Sequence, residues 1–396
     1  MSLVRKICGA ILALALVLAG PVIAGPLEDG IAAIDRGDFA AAHKLLRPLA
    51  KQGDPVAQYR VGRMYFHGQG VPSDYVQSAK WYEKSAAQGD SYAQNNLGVQ
   101  YDNGWGVRQD REKAVALYRQ SISSGNFIAK YNLGLSYRKG NGVPQDYQQA
   151  MFWFRQAAAE GEPLAAFELA EIFDFGRGAP QDVAQAFTWY MRAGELGDSE
   201  SQNHVGYMYD NGLGVPKNPE EAVLWFRKAA DQNDPAAQYN LADMYWSGRG
   251  VTADREEALR WFNKSAENGN ANAQNNLGAF YYKGVLSQKD LVEAYKWFSL
   301  ASFRFGSNNP QDQQIALKNL RSVASEMSTD QIKVAEQRLA KWLSQRQASG
   351  SWDPQYILLT MPCLRASFVI ATDQEISPVV RRTPVGNCKP TVRNGW

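Results

Sequence analysis

A strict 36-residue period runs through most of the chain. The segment that begins at Gly68, GQGVPSDYVQSAKWYEKSAAQGD, is followed 36 residues later by GWGVRQDREKAVALYRQSISSGN and then by GNGVPQDYQQAMFWFRQAAAEGE. Its first glycine recurs without an insertion at Gly68, Gly104, Gly140, Gly176, Gly212, Gly248 and Gly284. Such a period is typical of a repeat array, in which each unit buries its apolar face against its neighbours. A glycine-rich loop that occurs seven times is therefore a structural element of the repeat and not a phosphate-binding loop.

Each unit is predicted to be a pair of helices. Asp54 can cap a helix that starts at Pro55, where proline is tolerated, and Gly68 can end it in a left-handed conformation. Asp74 can cap the second helix, and the small residue at Gly62 and its equivalents lets the two helices approach closely. The second helix carries a pair that we expect in the core: Trp81-Tyr82, Leu117-Tyr118, Trp153-Phe154, Trp189-Tyr190, Trp225-Phe226, Trp261-Phe262 and Trp297-Phe298.

The first 24 residues have the pattern of a cleaved export signal. Arg5 and Lys6 precede an apolar run at residues 7–18, and residues 22–24 offer small side chains for a signal peptidase. This run is too short to span a bilayer comfortably and no second one follows, so we expect no transmembrane segment. The sequence thus predicts an exported protein, periplasmic as the first expectation and extracellular as the alternative.

Charge and cysteine content restrict the function further. The 396-residue chain has 42 basic and 40 acidic residues, and removal of residues 1–24 takes two basic ones, which leaves 40 of each. A net charge near zero argues against a nucleic-acid binder. Removal of the signal also takes Cys8 and leaves Cys363 and Cys388. An oxidising compartment favours a disulfide between these two, and two separate thiols are the alternative.

The segment AQYNLADMYWSGRGVTADREEALRWFNKSAENGN, residues 237–270, closely resembles the Sel-one-like repeat, a relative of the tetratricopeptide repeat. The resemblance covers seven units at residues 54–305 and implies an all-α, right-handed α/α solenoid. Residues 25–53 are predicted to form an N-terminal cap and a degenerate half-repeat in the register of a second helix. Residues 306–348 are predicted to be capping helices, with a capping box from Ser328 to Gln331. Residues 349–396 are expected to form an irregular or β-containing extension.

The resemblance also implies that the first helices line a concave groove that binds a protein partner. Early units place basic side chains there, middle and later units place acidic ones, and aromatic side chains run through both. Asparagines occupy one repeated position of the first helices, at Asn96, Asn132, Asn240 and Asn276. This position resembles the one whose amides hold a ligand's backbone in tetratricopeptide grooves. We predict a peptide segment or helix as partner, acidic where it meets the early units and basic where it meets the later ones. For any single residue, the alternative is that its charge only solvates the helix. The predicted groove residues are Arg60, Arg63, Phe66, Asn96, Tyr131, Asn132, Arg138, Phe167, Glu168, Glu171, Asp174, His204, Tyr207, Asp210, Tyr239, Asn240, Asp243, Trp246 and Asn276.

Motifs for catalysis are missing from the sequence. Its three histidines, His43, His67 and His204, lie in distant units, and it has no HExxH motif, cysteine-rich metal spacing, nucleophile elbow or complete phosphate loop. We therefore expect no enzymatic activity, no cofactor, no metal and no small-molecule ligand. A cysteine-rich branch of the family is linked to β-lactam binding or hydrolysis, but residues 25–361 lack its paired cysteines.

The sequence thus predicts a non-enzymatic scaffold or regulatory adaptor of the bacterial envelope. A secreted host-interaction factor and a β-lactam-binding or β-lactam-hydrolysing enzyme are the alternatives.

Overall fold

The computed structural model describes residues 25–285, 288–306 and 309–348, and these residues form eighteen helices and no strand. The predicted export signal, the C-terminal extension, Cys363 and Cys388 lie outside the described residues. The helices are α1 (Pro26–Asp35), α2 (Phe39–Gln52), α3 (Pro55–His67), α4 (Tyr75–Ala86), α5 (Ser91–Asn103), α6 (Arg111–Ser123), α7 (Ile128–Lys139), α8 (Tyr147–Ala159), α9 (Pro163–Phe175), α10 (Val183–Glu195), α11 (Ser199–Asn211), α12 (Pro219–Asp231), α13 (Pro235–Ser247), α14 (Arg255–Glu267), α15 (Ala271–Lys283), α16 (Leu291–Phe305), α17 (Pro310–Ser325) and α18 (Thr329–Ala348).

The helices belong to two compact units, with the boundary inside α9. Among the described residues, unit 1 ends at Ala165 and unit 2 begins at Ala166. In unit 1, the helices from α1 to α8 each pack on the next one along the chain, and in unit 2 the same holds from α10 to α17. The final helix, α18, packs on α16. This consecutive packing of helix on helix confirms the predicted all-α solenoid.

Capping side chains and glycine turns set the ends of the repeated helices. The Asp54 carboxylate accepts a hydrogen bond from the Ala57 N–H at 2.7 Å, as expected for an N-cap. Gly68 ends α3 with a φ of 68°. The second glycine of the next turn, Gly106, has a φ of 70°, and a Cβ there would lie 2.2 Å from the carbonyl of Tyr75. The turn after a first helix therefore lies directly on the start of the preceding second helix, and only glycine permits that approach.

The position of the first helix that holds a small residue, Gly62 and its equivalents, faces the second residue of the aromatic pair. In unit 1, a Cβ added to Gly98 would lie 2.6 Å from the Tyr118 ring. In unit 2, a Cβ added to Gly206 would lie at the same distance from the Phe226 ring. Both rings are buried. The second residue of the pair is therefore part of the core, as the sequence predicts, and the missing Cβ makes room for it. The first residue is buried in most repeats and half-buried at Trp153 and Trp189.

Buried amides complete the backbone hydrogen bonding where one pair of helices meets the next. In unit 1, the Gln94 side-chain amide donates to the Ala86 carbonyl at 3.3 Å, and in unit 2 Gln238 donates to the Ala230 carbonyl at 3.1 Å. These carbonyls lie in the last turn of a second helix, and each also accepts a hydrogen bond at 3.0 Å from the backbone N–H three residues later, that of Gly89 or Asn233. The glutamines therefore add a second hydrogen bond that ties the end of one helix pair to the start of the next.

The C-terminal helices cover the last repeat of unit 2. Ser328 and Gln331 form the predicted capping box, since the Ser328 N–H donates to the Gln331 side chain and the Gln331 N–H donates to the Ser328 hydroxyl. On the face of α18 that packs inward, Leu339 is buried and the Trp342 ring lies 6.2 Å from the Trp297 ring. The helix thereby covers apolar side chains of α16 at the end of the array.

Candidate partner-binding site

A concavity in unit 2 brings together residues of two successive repeats. Its residues come from the first helices α11 and α13, from α12, and from the turn that follows α13. The residues that line it are Tyr207, Asp210, Phe226, Tyr239, Asn240, Asp243 and Arg249. Five of them, all except Phe226 and Arg249, belong to the groove predicted from the sequence. The structure therefore places these five side chains around a common space.

Arg249 bridges the two carboxylates of this concavity. Its Nη2 donates to Asp210 Oδ2 at 3.2 Å and to Asp243 Oδ2 at 2.9 Å, and its Nε donates to Asp210 Oδ1 at 3.3 Å. The side chains of Arg249 and Asp243 are 26% and 21% exposed, whereas that of Asp210 is 4% exposed. Burial lowers the pKa of Arg249, but the hydrogen bonds and charges of Asp243 and Asp210 together outweigh burial and raise this pKa. One guanidinium thus faces two carboxylates.

The remaining wall of the concavity is aromatic and amide in character. Tyr239 is buried, and Asn276 donates to its hydroxyl. Burial raises the pKa of Tyr239, so its hydroxyl stays protonated at neutral pH. The Asn240 amide donates to Asn203 Oδ1 at 2.8 Å, which links two successive first helices. Such a wall offers hydrogen bonds and apolar area, with no group activated for proton transfer or nucleophilic attack.

Other groove residues predicted for unit 2 form an aromatic cluster around Tyr190. The His204 ring stacks on the Tyr190 ring at 4.2 Å, and the Phe167 ring lies 5.9 Å from His204. The Tyr190 hydroxyl donates to Asp174 at 3.4 Å, and burial raises the pKa of Asp174. Burial also lowers the pKa of His204 to about 3, so the ring is neutral at physiological pH.

The last three predicted groove residues of unit 2 differ in exposure. Glu168 is buried, Glu171 is half-buried on the same helix, and the half-buried Trp246 stacks on the Phe280 ring at 4.8 Å.

Carboxylates recur at two positions on the first helices of unit 2. Glu171 and Asp243 lie at equivalent positions of their repeats, as do Asp174 and Asp210, three residues further along the helix. We call these four residues the acidic face. Three of them are half-buried and Asp210 is buried. Because residues three apart lie on the same side of a helix, Glu171 and Asp174 present their charge in one direction on α9. The repeat places Asp210 of α11 and Asp243 of α13 at the corresponding positions of their own helices.

In unit 1, the structure separates the predicted groove residues into amide and aromatic contacts. Asn132 donates to Asn95 at 2.8 Å and Asn96 to the Tyr82 hydroxyl at 3.4 Å. The Tyr131 ring packs 6.0 Å from the Phe154 ring. The asparagine amides in both units therefore donate hydrogen bonds to neighbouring side chains, and in Asn132 and Asn240 these bonds link successive repeats.

The basic groove residues of unit 1 lie beside aromatic rings. The Arg60 guanidinium lies 5.8 Å from the Tyr59 ring. Burial raises the pKa of the Tyr59 hydroxyl, and the nearby charges of Arg63 and Arg60 oppose this rise. Arg138 is half-buried near the end of α7.

Phe66 belongs to an aromatic cluster of unit 1. Its ring contacts Tyr75 at 5.1 Å and Trp105 at 5.7 Å, where Trp105 lies between the two glycines of its turn.

Sequence reasoning missed Arg249 as a site residue because it lies in a turn and not on a first helix. Its position in the turn is the same as that of Trp105, between two glycines. Each of these two side chains contacts a residue 39 positions earlier, Asp210 for Arg249 and Phe66 for Trp105. Phe226 was assigned to the core as a member of the aromatic pair, and it also lines the concavity.

Two findings bear on the class of the protein. In the part of the chain that the structure describes, His, Cys, Asp and Glu form no group of three that could hold a metal ion. No helix within those same residues is long and apolar enough to cross a bilayer.

Comparison with known proteins identifies repeats along most of the chain. Eight segments match the model of the Sel1 repeat, at residues 24–54, 55–90, 91–126, 128–162, 163–198, 199–234, 235–270 and 271–302. The first of these segments contains α1 and α2, where the sequence suggests a cap and a half-repeat. No curated protein shows significant similarity to the chain.

Solved structures of bacterial repeat proteins are similar to this chain. A Sel1 repeat protein from Oxalobacter formigenes is 34% identical, with 61% of this chain and 98% of that chain covered and a TM-score of 0.55. A protective antigen from uropathogenic Escherichia coli strains, which displays an SLR fold, is 30% identical, with 88% and 81% covered and a TM-score of 0.44.

Proposed function

Because the chain belongs to the Sel1 repeat family, we propose that it is a non-enzymatic scaffold or adaptor that binds a segment of another protein on unit 2. Members of this family are generally protein-interaction scaffolds and typically non-catalytic. The observation that carries the proposal is the concavity between two repeats, where five predicted groove residues and Arg249 surround one space.

The chemistry of unit 2 favours a partner segment with basic side chains. The acidic face carries four carboxylates, and Arg249 bridges two of them. A lysine or arginine of the partner would add charge-assisted hydrogen bonds, and an adjacent apolar side chain would pack on Tyr207 or Trp246. Unit 1 offers the opposite charge at Arg60, Arg63 and Arg138, which suits an acidic segment. Complementary charges of this kind contribute more to selectivity and association rate than to affinity.

We also propose that the protein acts outside the cytoplasm, in the bacterial envelope. The support is the sequence of residues 1–24, with two basic residues before an apolar run and small residues at its end. Fractionation of cells that express the full chain tests this proposal. Recovery in the periplasmic fraction, with the N-terminal segment removed, is the expected result. Recovery of uncleaved protein with the cytoplasm would refute it.

Photo-crosslinking in living cells tests the binding site. A benzoylphenylalanine is placed at Tyr207, which lines the concavity, and as a matched control at Leu224, which is 54% exposed on α12 of the same unit. We expect a discrete adduct with another protein from position 207 and none from position 224. The substitution Asp243→Asn in the Tyr207 variant should weaken the adduct, because it removes one carboxylate of the acidic face. Equal adduct yields at both positions would refute the assignment of the site.

A further inference from the structure

The acidic face of unit 2 has a candidate occupant within the same chain. Residues 376–396, ISPVVRRTPVGNCKPTVRNGW, contain Arg381, Arg382, Lys389 and Arg393 and no acidic residue. The segment therefore carries four positive charges, and the acidic face carries four carboxylates of which Arg249 bridges two. It also carries apolar residues, including four valines and a tryptophan, beside these charges. Its composition is thus that of the basic, partly apolar partner for which the site is suited.

The chain leaves the described helices beside the repeat that contains the site. The Arg346 guanidinium lies 3.8 Å from the Glu267 carboxylate, and Glu267 ends α14 in the same repeat as Asp243 and Arg249. The repeat helices have 13 residues, about 20 Å at 1.5 Å per residue. Residues 349–375 connect α18 to the basic segment, and a chain of that length spans at most about 90 Å when fully extended. The basic segment is therefore long enough and close enough to reach the acidic face of its own unit.

We propose that residues 376–396 bind the acidic face of unit 2 and compete there with the basic segment of the partner. This inference rests on the proposed function, because it assigns regulation to the same site. The local concentration of a tethered segment exceeds that of a free protein, so weak contacts suffice for occupancy. A partner then binds only when its own contacts outweigh those of the tethered segment.

Crosslinking of the purified full chain tests the occupant in the absence of any partner. Benzoylphenylalanine at Tyr207 is activated in dilute protein, and the crosslinked peptides are identified by mass spectrometry, with position 224 as the control. We expect adducts with residues 376–396 from position 207 only. Raising the salt from about 0.1 M to about 1 M shortens the screening length from about 10 Å to about 3 Å and should reduce these adducts about tenfold. Adducts with other segments only, or none, would overturn the proposal.

A charge-reversed chain is the matched variant. The quadruple substitution R381E/R382E/K389E/R393E lies outside the described helices, and far-UV circular dichroism checks that helix content is unchanged. We expect the self-adduct to fall about tenfold, since four attractive charges become repulsive. An undiminished self-adduct would overturn the electrostatic basis of the proposal. A mixture of isotope-labelled and unlabelled protein distinguishes adducts within one chain from adducts between two chains. Adducts between two chains would assign the bound segment to a second copy and overturn intramolecular binding.

The same variant in living cells separates this inference from the proposed function. If the basic segment competes, the partner adduct at position 207 increases in the charge-reversed chain. If the partner adduct stays the same in the two chains, the competition is refuted and the binding site stands. The third outcome is that neither chain yields a partner adduct while the unchanged chain still forms the self-adduct. This outcome would refute the proposed function at this site, and with it the competition with a partner.

Discussion

His204 is expected to make unit 2 sensitive to acid. Its ring is buried against Tyr190, and among the described residues its Nε2 has no hydrogen-bond partner. Burial lowers the pKa from 6.5 to about 3, so between these values the unfolded chain binds a proton that the folded chain does not. The free energy of unfolding therefore falls as the pH drops below 6.5 and continues to fall until about pH 3. The full effect is at most about 5 kcal/mol at 1.36 kcal/mol per pKa unit.

The substitution His204→Asn tests this account with a residue that the array already uses at the equivalent positions, such as Asn240. Asparagine does not titrate, so the pH-dependent loss should disappear. Between about pH 7.5 and about pH 4.5 the wild-type chain should lose about 3 kcal/mol more stability than the variant. Urea unfolding followed by far-UV circular dichroism measures the free energy at each pH.

Only the difference between the two pH values is interpreted, because the substitution also removes the ring stacking on Tyr190. His67→Asn is the matched control: burial and the nearby Arg63 also lower the pKa of His67, but this residue is exposed, so its pH-dependent loss should be smaller than that of His204. Equal losses in the wild-type and His204→Asn chains would show that the buried ring does not resist protonation and would refute the reasoning.

Three further results are expected. Gly206→Ala should destabilise the chain by about 1–3 kcal/mol in urea unfolding, because its Cβ would lie 2.6 Å from the buried Phe226 ring; unchanged stability would mean that the two helices separate freely. Arg249→Met should lower the free energy of unfolding by about 1–3 kcal/mol, because the buried Asp210 loses its cation, and Arg249→Lys should restore part of it. Purified protein should not hydrolyse a chromogenic β-lactam faster than an unfolded control, and turnover above that control would contradict the non-enzymatic assignment.

The repeat, the ends of the repeated helices and the main core positions could be predicted from the amino-acid sequence. Caps such as Asp54 and Ser328 act on amides three residues away, so their pattern is visible in a short stretch of sequence. The glycine of the first helix and the aromatic residue of the second lie 20 residues apart in every repeat that has them, as in Gly206 and Phe226. Because these caps and this spacing recur in successive repeats, they could be recognised from the sequence.

Which side chains meet in the concavity could not be predicted from the sequence and depends on how the repeats pack. Arg249 lies in a turn whose equivalent positions hold an arginine only once more, at Arg177, and elsewhere different residues such as Trp105 and Leu213. The repeat pattern therefore does not mark Arg249 as a site residue. It reaches Asp210 because its turn packs on the start of the preceding second helix, where Gly250 approaches the backbone of Pro219. A contact across a repeat boundary depends on how one helix pair stacks on the next. That stacking arises from side-chain volumes summed over many residues, and no local pattern in the sequence encodes it.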